Sequence, residues 1–310
     1  MREGETPVEP LDGNQKKQLS LAILVTNYNT WEIAKRCVDA CFQQDRGRFD
    51  RLLVYDDCST EESAGEFPES TQLYKGCPNL GLTKALNVAF GMVKEDIVVL
   101  FDSDAYPTTP FCDSVKDLFA EDPQLGLITL RTIGRTGKPT QSFAAEPNVW
   151  SLLLGQNLYA KMERWLADRS GRIVVFTCAM AVRKCAFDEL RGFDEAFDWI
   201  DLDLDFSMRM NRSRWRVEIA PGPRVFHEGG GAPQLTRKRV GRFYKNRWYL
   251  LNKFHRIRMK KVVKALILAR LYIEYTILRV AGKLLFSDET IRNDKVMGRR
   301  ELIRFCTDTY

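Results

Sequence analysis

"IVVLFDSDAYP", residues 97–107, carries five apolar residues into two aspartates one position apart, Asp102 and Asp104. A continuous apolar run of this length, closed by a turn signal, reads as a strand buried on both faces of a sheet. Carboxylates placed side by side repel each other, so a cation, a phosphate-bearing ligand or a proton must make the pair tolerable. At this spacing both can reach one divalent cation if the chain turns, and hard oxygen ligands suit Mg²⁺ or Mn²⁺ shared with substrate phosphates. The alternative is a solvated turn ahead of Pro107.

Two similar runs precede it. "LAILVTNYN" (21–29) breaks into polar residues at Thr26 and Asn27, and "DRLLVYDDCST" (50–60) ends in Asp56 and Asp57. Between the runs lie helical spacings, "WEIAKRCVDACFQQ" (31–44) and "NLGLTKALNVAFGMV" (79–93). This β-α-β-α-β order implies an α/β fold, a Rossmann-like doubly wound, mostly parallel sheet with right-handed crossovers. Ligands of such sheets bind beyond the carboxyl ends of the strands. All three runs present polar residues there. Asp56 and Asp57 can accept hydrogen bonds from a base or ribose, or they can cap a helix.

A second polar group follows. "RIVVFTCAMAVRKCAFDEL" (172–190) reads as a strand and then a helix. Asp201, Asp203 and Asp205 then alternate with apolar residues in "WIDLDLDF" (199–206). On a helix Asp201 and Asp205 would align, with Asp203 to one side. A carboxylate in a cleft serves as a general base when its neighbours raise its pKa; the alternative is an acidic first turn favoured by the helix dipole. His227, one of two histidines, follows a strand-like segment and precedes three glycines, a placement that suits a third metal ligand or a phosphate contact.

The chain has 310 residues, 45% of them hydrophobic and 28% charged, which is globular composition. Residues 1–18 have no apolar core, so they read as a disordered lead-in and not as a signal peptide. The eight scattered cysteines form no CxxC pair, as expected for reduced thiols in a cytoplasmic protein. Residues 237–310 hold 20 of the 47 basic and 6 of the 41 acidic residues. The tail is therefore +14 and the part before it −8. Such a division suggests chemistry in 19–236 and a second task for a basic, helical region over 237–310.

Within that region, 243–286 is aromatic and basic, then apolar with interspersed charges. Lys264, Arg270, Glu274, Arg279 and Lys283 interrupt it too often for a membrane-spanning helix. On a helical wheel Val262, Leu266, Ala269, Ile273, Ile277, Val280 and Leu284 form one stripe. It suits packing on the catalytic domain, packing on a homo-oligomer mate, or contact with the inner face of a membrane. No recognition motif accompanies the charge, so no nucleic-acid partner is expected.

Several spaced motifs resemble one family, the family 2 inverting glycosyltransferases of the GT-A fold, and within it the rhamnosyltransferase-like branch. "VTNYN" (25–29), "VYDDCST" (54–60), "NLGLTKALN" (79–87), "DSD" (102–104), "FTCAMAVRKCAFDELRGFDEAF" (176–197), "WIDLDLDFSMR" (199–209) and "FHEGGG" (226–231) occur in the family's order. The resemblance spans roughly residues 19–250. It implies a nucleotide-diphospho-sugar donor, carrying UDP or dTDP before GDP, and a glycan or lipid-linked acceptor. It implies donor contacts at Thr26, Asn27, Tyr28, Asp56, Asp57, Asn79, Lys84, Asp102 and Ser103. It further implies a Mg²⁺ or Mn²⁺ site at Asp102, Asp104 and His227, and a catalytic base at Asp203, with Asp201 in reserve.

The chain departs from the family where Cys178 stands for a glycine and where Arg191-Gly192 stands for Gly-Gly. The 201–205 stretch is also one residue shorter than the rhamnosyl-type pattern. The competing readings are a GT-A scaffold without activity, a DxD phosphotransferase and a nucleotidyltransferase. A DxD phosphotransferase of the haloacid-dehalogenase type places its motif after the first strand, whereas two strands come first here. A nucleotidyltransferase has a Gly-rich basic loop after its first strand, which "TNYNTWE" (26–32) does not resemble.

Overall fold

A computed structural model describes residues 18–63, 65–155, 158–160, 162, 171–227 and 236–309. All but the last residue of the expected lead-in, and the three glycines after His227, lie outside them.

The strands are β1 (Leu21–Asn27), β2 (Arg51–Asp56), β3 (Thr71–Lys75), β4 (Ile97–Phe101), β5 (Ala105–Pro107), β6 (Leu125–Ile133), β7 (Phe143–Ala145), β8 (Ile173–Val175), β9 (Ala179–Arg183) and β10 (Arg216–His227). The helices are α1 (Trp31–Asp45), α2 (Leu82–Met92), α3 (Cys112–Glu121), α4 (Trp150–Leu154), α5 (Lys184–Glu189), α6 (Leu202–Met210), α7 (Thr236–Lys253), α8 (Lys260–Val280), α9 (Gly282–Leu285) and α10 (Glu289–Thr309).

Eight strands form one sheet in the order β3-β2-β1-β4-β9-β6-β10-β5, and β7 and β8 form a small second sheet. Six strands of the large sheet run parallel; β9 in the middle and β5 at the edge run the other way. The segment expected to be one strand and a helix therefore makes β8, a turn and the reversed β9 before α5. A fully buried strand has the same apolar content in either direction, so its polarity cannot be read from composition.

The period-two alternation of the strands decides what each face packs on. From β1 and β4, Leu21, Ile23, Val25, Ile97, Val99 and Phe101 face one side and join residues of α1 and α3. Ala22, Leu24, Val98 and Leu100 face the other side and join α2, α5 and α6. Helices cover both faces, so these strands carry no polar face. A third core joins Leu152 of α4, Tyr244 and Leu251 of α7, Ile267 and Leu271 of α8, and Leu302 and Cys306 of α10.

Candidate active site

The parallel strands β1, β2 and β4 all end on one side of the sheet, and a cleft of about 830 Å³ opens there. Asp102 and Asp104 leave the end of β4. The chain then reverses into β5, whose Ala105 pairs with His227 at the end of β10. This pairing brings the imidazole back over the carboxylates. His227 Nε2 lies 3.5 Å from Asp104 Oδ1. One donor atom from each of Asp102, Asp104 and His227 falls within 4.8 Å of the others. Two carboxylates and an imidazole at this spacing fit a divalent cation. Burial and the charge of Asp104 push the Asp102 carboxyl up to about 6. Hydrogen bonding and attraction from Asp104 raise the His227 imidazole above its ordinary range, against the opposing effect of burial.

The strand ends of β1 and β2 build the opposite wall, and here the polar residues divide into two groups. Asn27 is buried, donating from Nδ2 to Asp56 Oδ1 at 2.7 Å and accepting from Thr30 Oγ1 at 2.9 Å. Asp56 is fully buried and also accepts the Ser59 amide at 3.0 Å; it stands behind the cleft wall. Asp57 lines the cleft, and its two oxygens accept the Leu80 and Gly81 amides at 2.8 Å each. Its backbone carbonyl accepts from Asn79 Nδ2 at 2.7 Å. Asp57 thus fixes the loop that starts α2, where Gly81 takes a φ of 78°. Thr26, Tyr28 and Ser103 line the cleft as well, Tyr28 with half its surface exposed. Lys84 points from α2 to solvent and is not among the lining residues.

The three alternating aspartates separate once α6 is in place. Asp201 caps the helix with a left-handed φ of 68°, and Arg247 of α7 holds it through two hydrogen bonds of 2.8 and 2.9 Å. Asp205 is fully buried, 2.7 Å from Arg209 Nε and 2.6 Å from Lys253 Nζ. Asp203 enters the cleft facing the Asp102 side, and none of the ion pairs among the described residues involves it. Burial, then Asp201 and Asp102, push its carboxyl up to about 7, although the Leu204 and Thr177 amides oppose the shift.

Arg239, Arg242 and Arg247 also line the cleft, and the sequence reading did not single them out. They come from α7, the first helix of the basic tail. Their i, i+3 and i+8 spacing, with Phe243 and Asn246 between, was the available signal for one helix face. Asn246 Nδ2 donates to Asp198 Oδ1 at 2.9 Å and to the Ile200 carbonyl at 2.7 Å, which fixes the segment leading into Asp201.

A mostly parallel sheet with an Asp-Ser-Asp turn at its strand ends and helices on both faces is the architecture of the GT-A glycosyltransferases. The model of the glycosyl transferase family 2 matches residues 22–191, more than half of the chain, and the chain belongs to that family. No curated protein matches the sequence at a significant level.

Many solved structures share the fold, three of them as follows. A mannosyltransferase from Pyrobaculum calidifontis, in complex with GDP-Man and Mn²⁺, is 16% identical over 95% of this chain and 88% of its own, with a TM-score of 0.56. Residues 1–349 of TarS from S. aureus are 14% identical over 94% and 87%, with a TM-score of 0.51. GalNAc-T7, crystallised with UDP, GalNAc and Mn²⁺, is 13% identical over 75% of this chain, with a TM-score of 0.53. This chain spans half the length of that enzyme. At these identities the likeness is one of fold.

Proposed function

We propose that this protein transfers a sugar from a nucleotide-diphospho-sugar to an acceptor hydroxyl with inversion at the anomeric carbon. The observation that carries the reading is one cleft with two kinds of carboxylate: the Asp102, Asp104 and His227 cluster, and Asp203 close enough to feel the charge of Asp102 yet outside that cluster. The three clustered residues would hold a Mg²⁺ or Mn²⁺ ion, which supplies positive charge against the charge that develops on the leaving diphosphate. Asp102 also lies near the donor's ribose in this reading.

Asp203 accepts the proton of the acceptor hydroxyl. The hydroxyl oxygen bonds to the anomeric carbon as the bond from that carbon to the diphosphate breaks, and the electron pair leaves with the nucleoside diphosphate. One displacement suffices, so no covalent glycosyl-enzyme forms. A proton acceptor with a pKa near the working pH suits this role, and the rise of the Asp203 carboxyl to about 7 supports that reading. Asp201 and Asp205 are each neutralised by cations, which favours Asp203 over the reserve assignment.

Tyr28 and Thr26 offer a surface for the nucleobase, and Asp57, Asn79 and Ser103 shape the wall beside it. Asn27 lines the cleft and ties that wall to Asp56, which acts on the donor from behind it, and Lys84 has no contact with the cleft to support a donor role. By family resemblance the donor carries UDP or dTDP before GDP, the sugar is a hexose or a deoxyhexose such as rhamnose, and the acceptor is a cell-envelope glycan or its lipid-linked precursor. The GT-A unit covers 19–236; α7 of the 237–310 region completes its cleft.

Thermal-shift titration of the full chain with UDP-, dTDP- and GDP-sugars, with and without Mn²⁺, tests the donor assignment. A Mn²⁺-dependent shift with one nucleotide class, absent in Asp104→Asn, is the expected result. No shift with any class would favour a scaffold without activity. The product anomer read by NMR tests the stereochemistry, and retention would overturn the single displacement.

A further inference from the structure

Helix α8 has two apolar faces, and the structure buries only one. Val263, Ile267, Leu271 and Leu278 turn inward, and the first three join the core shared with α4, α7 and α10. The stripe that includes Leu266, Ile273 and Ile277 turns outward, and these side chains are 50%, 60% and 48% exposed. It continues through Val280 at 81% into α9 with Leu284 at 91%. A helix of 21 residues is about 30 Å long, so the stripe runs the length of the element.

At 100° per residue, Lys261 and Arg279 of α8 share one flank of the helix beside the stripe, Lys283 of α9 continues it, and all three are exposed. The acid of α8, Glu274, is engaged away from that flank, 3.2 Å from Arg270 and 2.6 Å from Arg299. The outward face of α8 is therefore aliphatic and cationic without a compensating carboxylate. A second copy of the chain laid on it would set these cations against their own kind. No helix among the described residues is long and apolar enough to cross a membrane.

We propose that this face seats the protein on the surface of an anionic lipid bilayer, the aliphatic stripe entering the acyl boundary and Lys261, Arg279 and Lys283 meeting the headgroups. The helix would lie in the plane of the interface. The inference does not depend on the reaction proposed above.

Co-sedimentation of the full chain with phosphatidylglycerol–phosphatidylcholine vesicles, against phosphatidylcholine alone, tests it. Binding is expected to the anionic vesicles and to fall with salt. Ile273→Glu/Ile277→Glu should weaken it at least tenfold. Lys261→Glu/Arg279→Glu/Lys283→Glu should do the same, since each cation near such a surface contributes roughly fivefold. Val280→Glu/Leu284→Glu, at the two most exposed positions, repeats the first test where folding is least at risk, and thermal melts confirm that the variants fold. Absence of binding to anionic vesicles would overturn the proposal. So would unchanged binding by the stripe variants, which would leave only diffuse attraction. A wild-type dimer that the stripe variants convert to monomer would overturn it in favour of a second copy.

Discussion

Arg247 and Asp201 meet through two parallel hydrogen bonds in the lining of the cleft, both side chains almost wholly buried. Removing one partner strands the other charge in a poorly solvated place. Arg247→Ala is expected to cost about 3–5 kcal/mol in urea unfolding. Arg247→Lys should recover only part of it, because a lysine cannot reproduce the paired geometry. The loss should shrink when Asp201→Asn is added to Arg247→Ala, which a double-mutant cycle would show.

Asp203 links activity to pH in one direction and stability in the other. Its carboxyl is raised from the ordinary 3.8 to about 7. Between those values the folded protein holds a proton that the unfolded chain has lost, so this group's contribution to stability falls as pH rises from about 4 to 7. Asp203→Asn escapes that decline. Its melting temperature should match the wild type near pH 4 and exceed it by roughly 5–10 °C at pH 8. The proposed base must be ionised to act, so wild-type kcat/KM should rise through about pH 7. Asp203→Asn should lose a factor on the order of 10²–10⁴ and show no such rise.

Asp102 and Asp104 repel each other unless a cation joins them. Mn²⁺ at a hundred times its Kd should stabilise the wild type by about 2.7 kcal/mol. Asp104→Asn should lose that gain, and its metal-free melting temperature weighs the relief from Asp102 against the lost contact with His227. Differential scanning calorimetry with and without Mn²⁺ separates the two effects.

Arg191 occupies a left-handed φ of 59°, just ahead of Gly192 at 67°. The conformation costs a side-chain-bearing residue roughly 1–2 kcal/mol. The exposed Arg191→Gly is therefore expected to stabilise the protein by about 0.5–1 kcal/mol after the entropy of the added glycine is counted. Gly192→Ala should do the reverse: a Cβ there would lie 2.7 Å from Asn87 Oδ1, the atom that accepts the Phe193 amide. Chemical denaturation of both variants checks the pair.

Much of this was legible because it rests on local pattern. The apolar runs of β1, β2 and β4, their polar ends, the Asp-Ser-Asp turn and His227 all announce themselves within a few residues. What could not be read depends on distant partners. β3 is an exposed edge strand, TQLYK, with no apolar run to mark it. The roles of Asp201 and Asp205 are set by Arg247 and Lys253, about 46 to 48 residues further on. The two apolar faces of α8 look equivalent on a wheel, and the choice between them lies with α4, α7 and α10. Asp56 and Asp57 are chemically alike and adjacent, yet the alternation of a strand end sends one behind the wall and the other to the cleft.

The pairing of Ala105 with His227 has a mechanical side. β5 is three residues long and lies at the edge of the sheet, held by three residue pairs to β10. So short a border ladder opens readily by local fraying. Asp104 immediately precedes it and His227 ends the opposing strand, so an ion shared by these two would staple the frayed end shut. Amide hydrogen exchange at Ala105, Tyr106 and 225–227 should then slow on adding Mn²⁺, more than in β1 or β4, which lie inside the sheet with a neighbour on each side. The edge of the sheet would serve as a gauge of occupancy, readable without substrate or turnover.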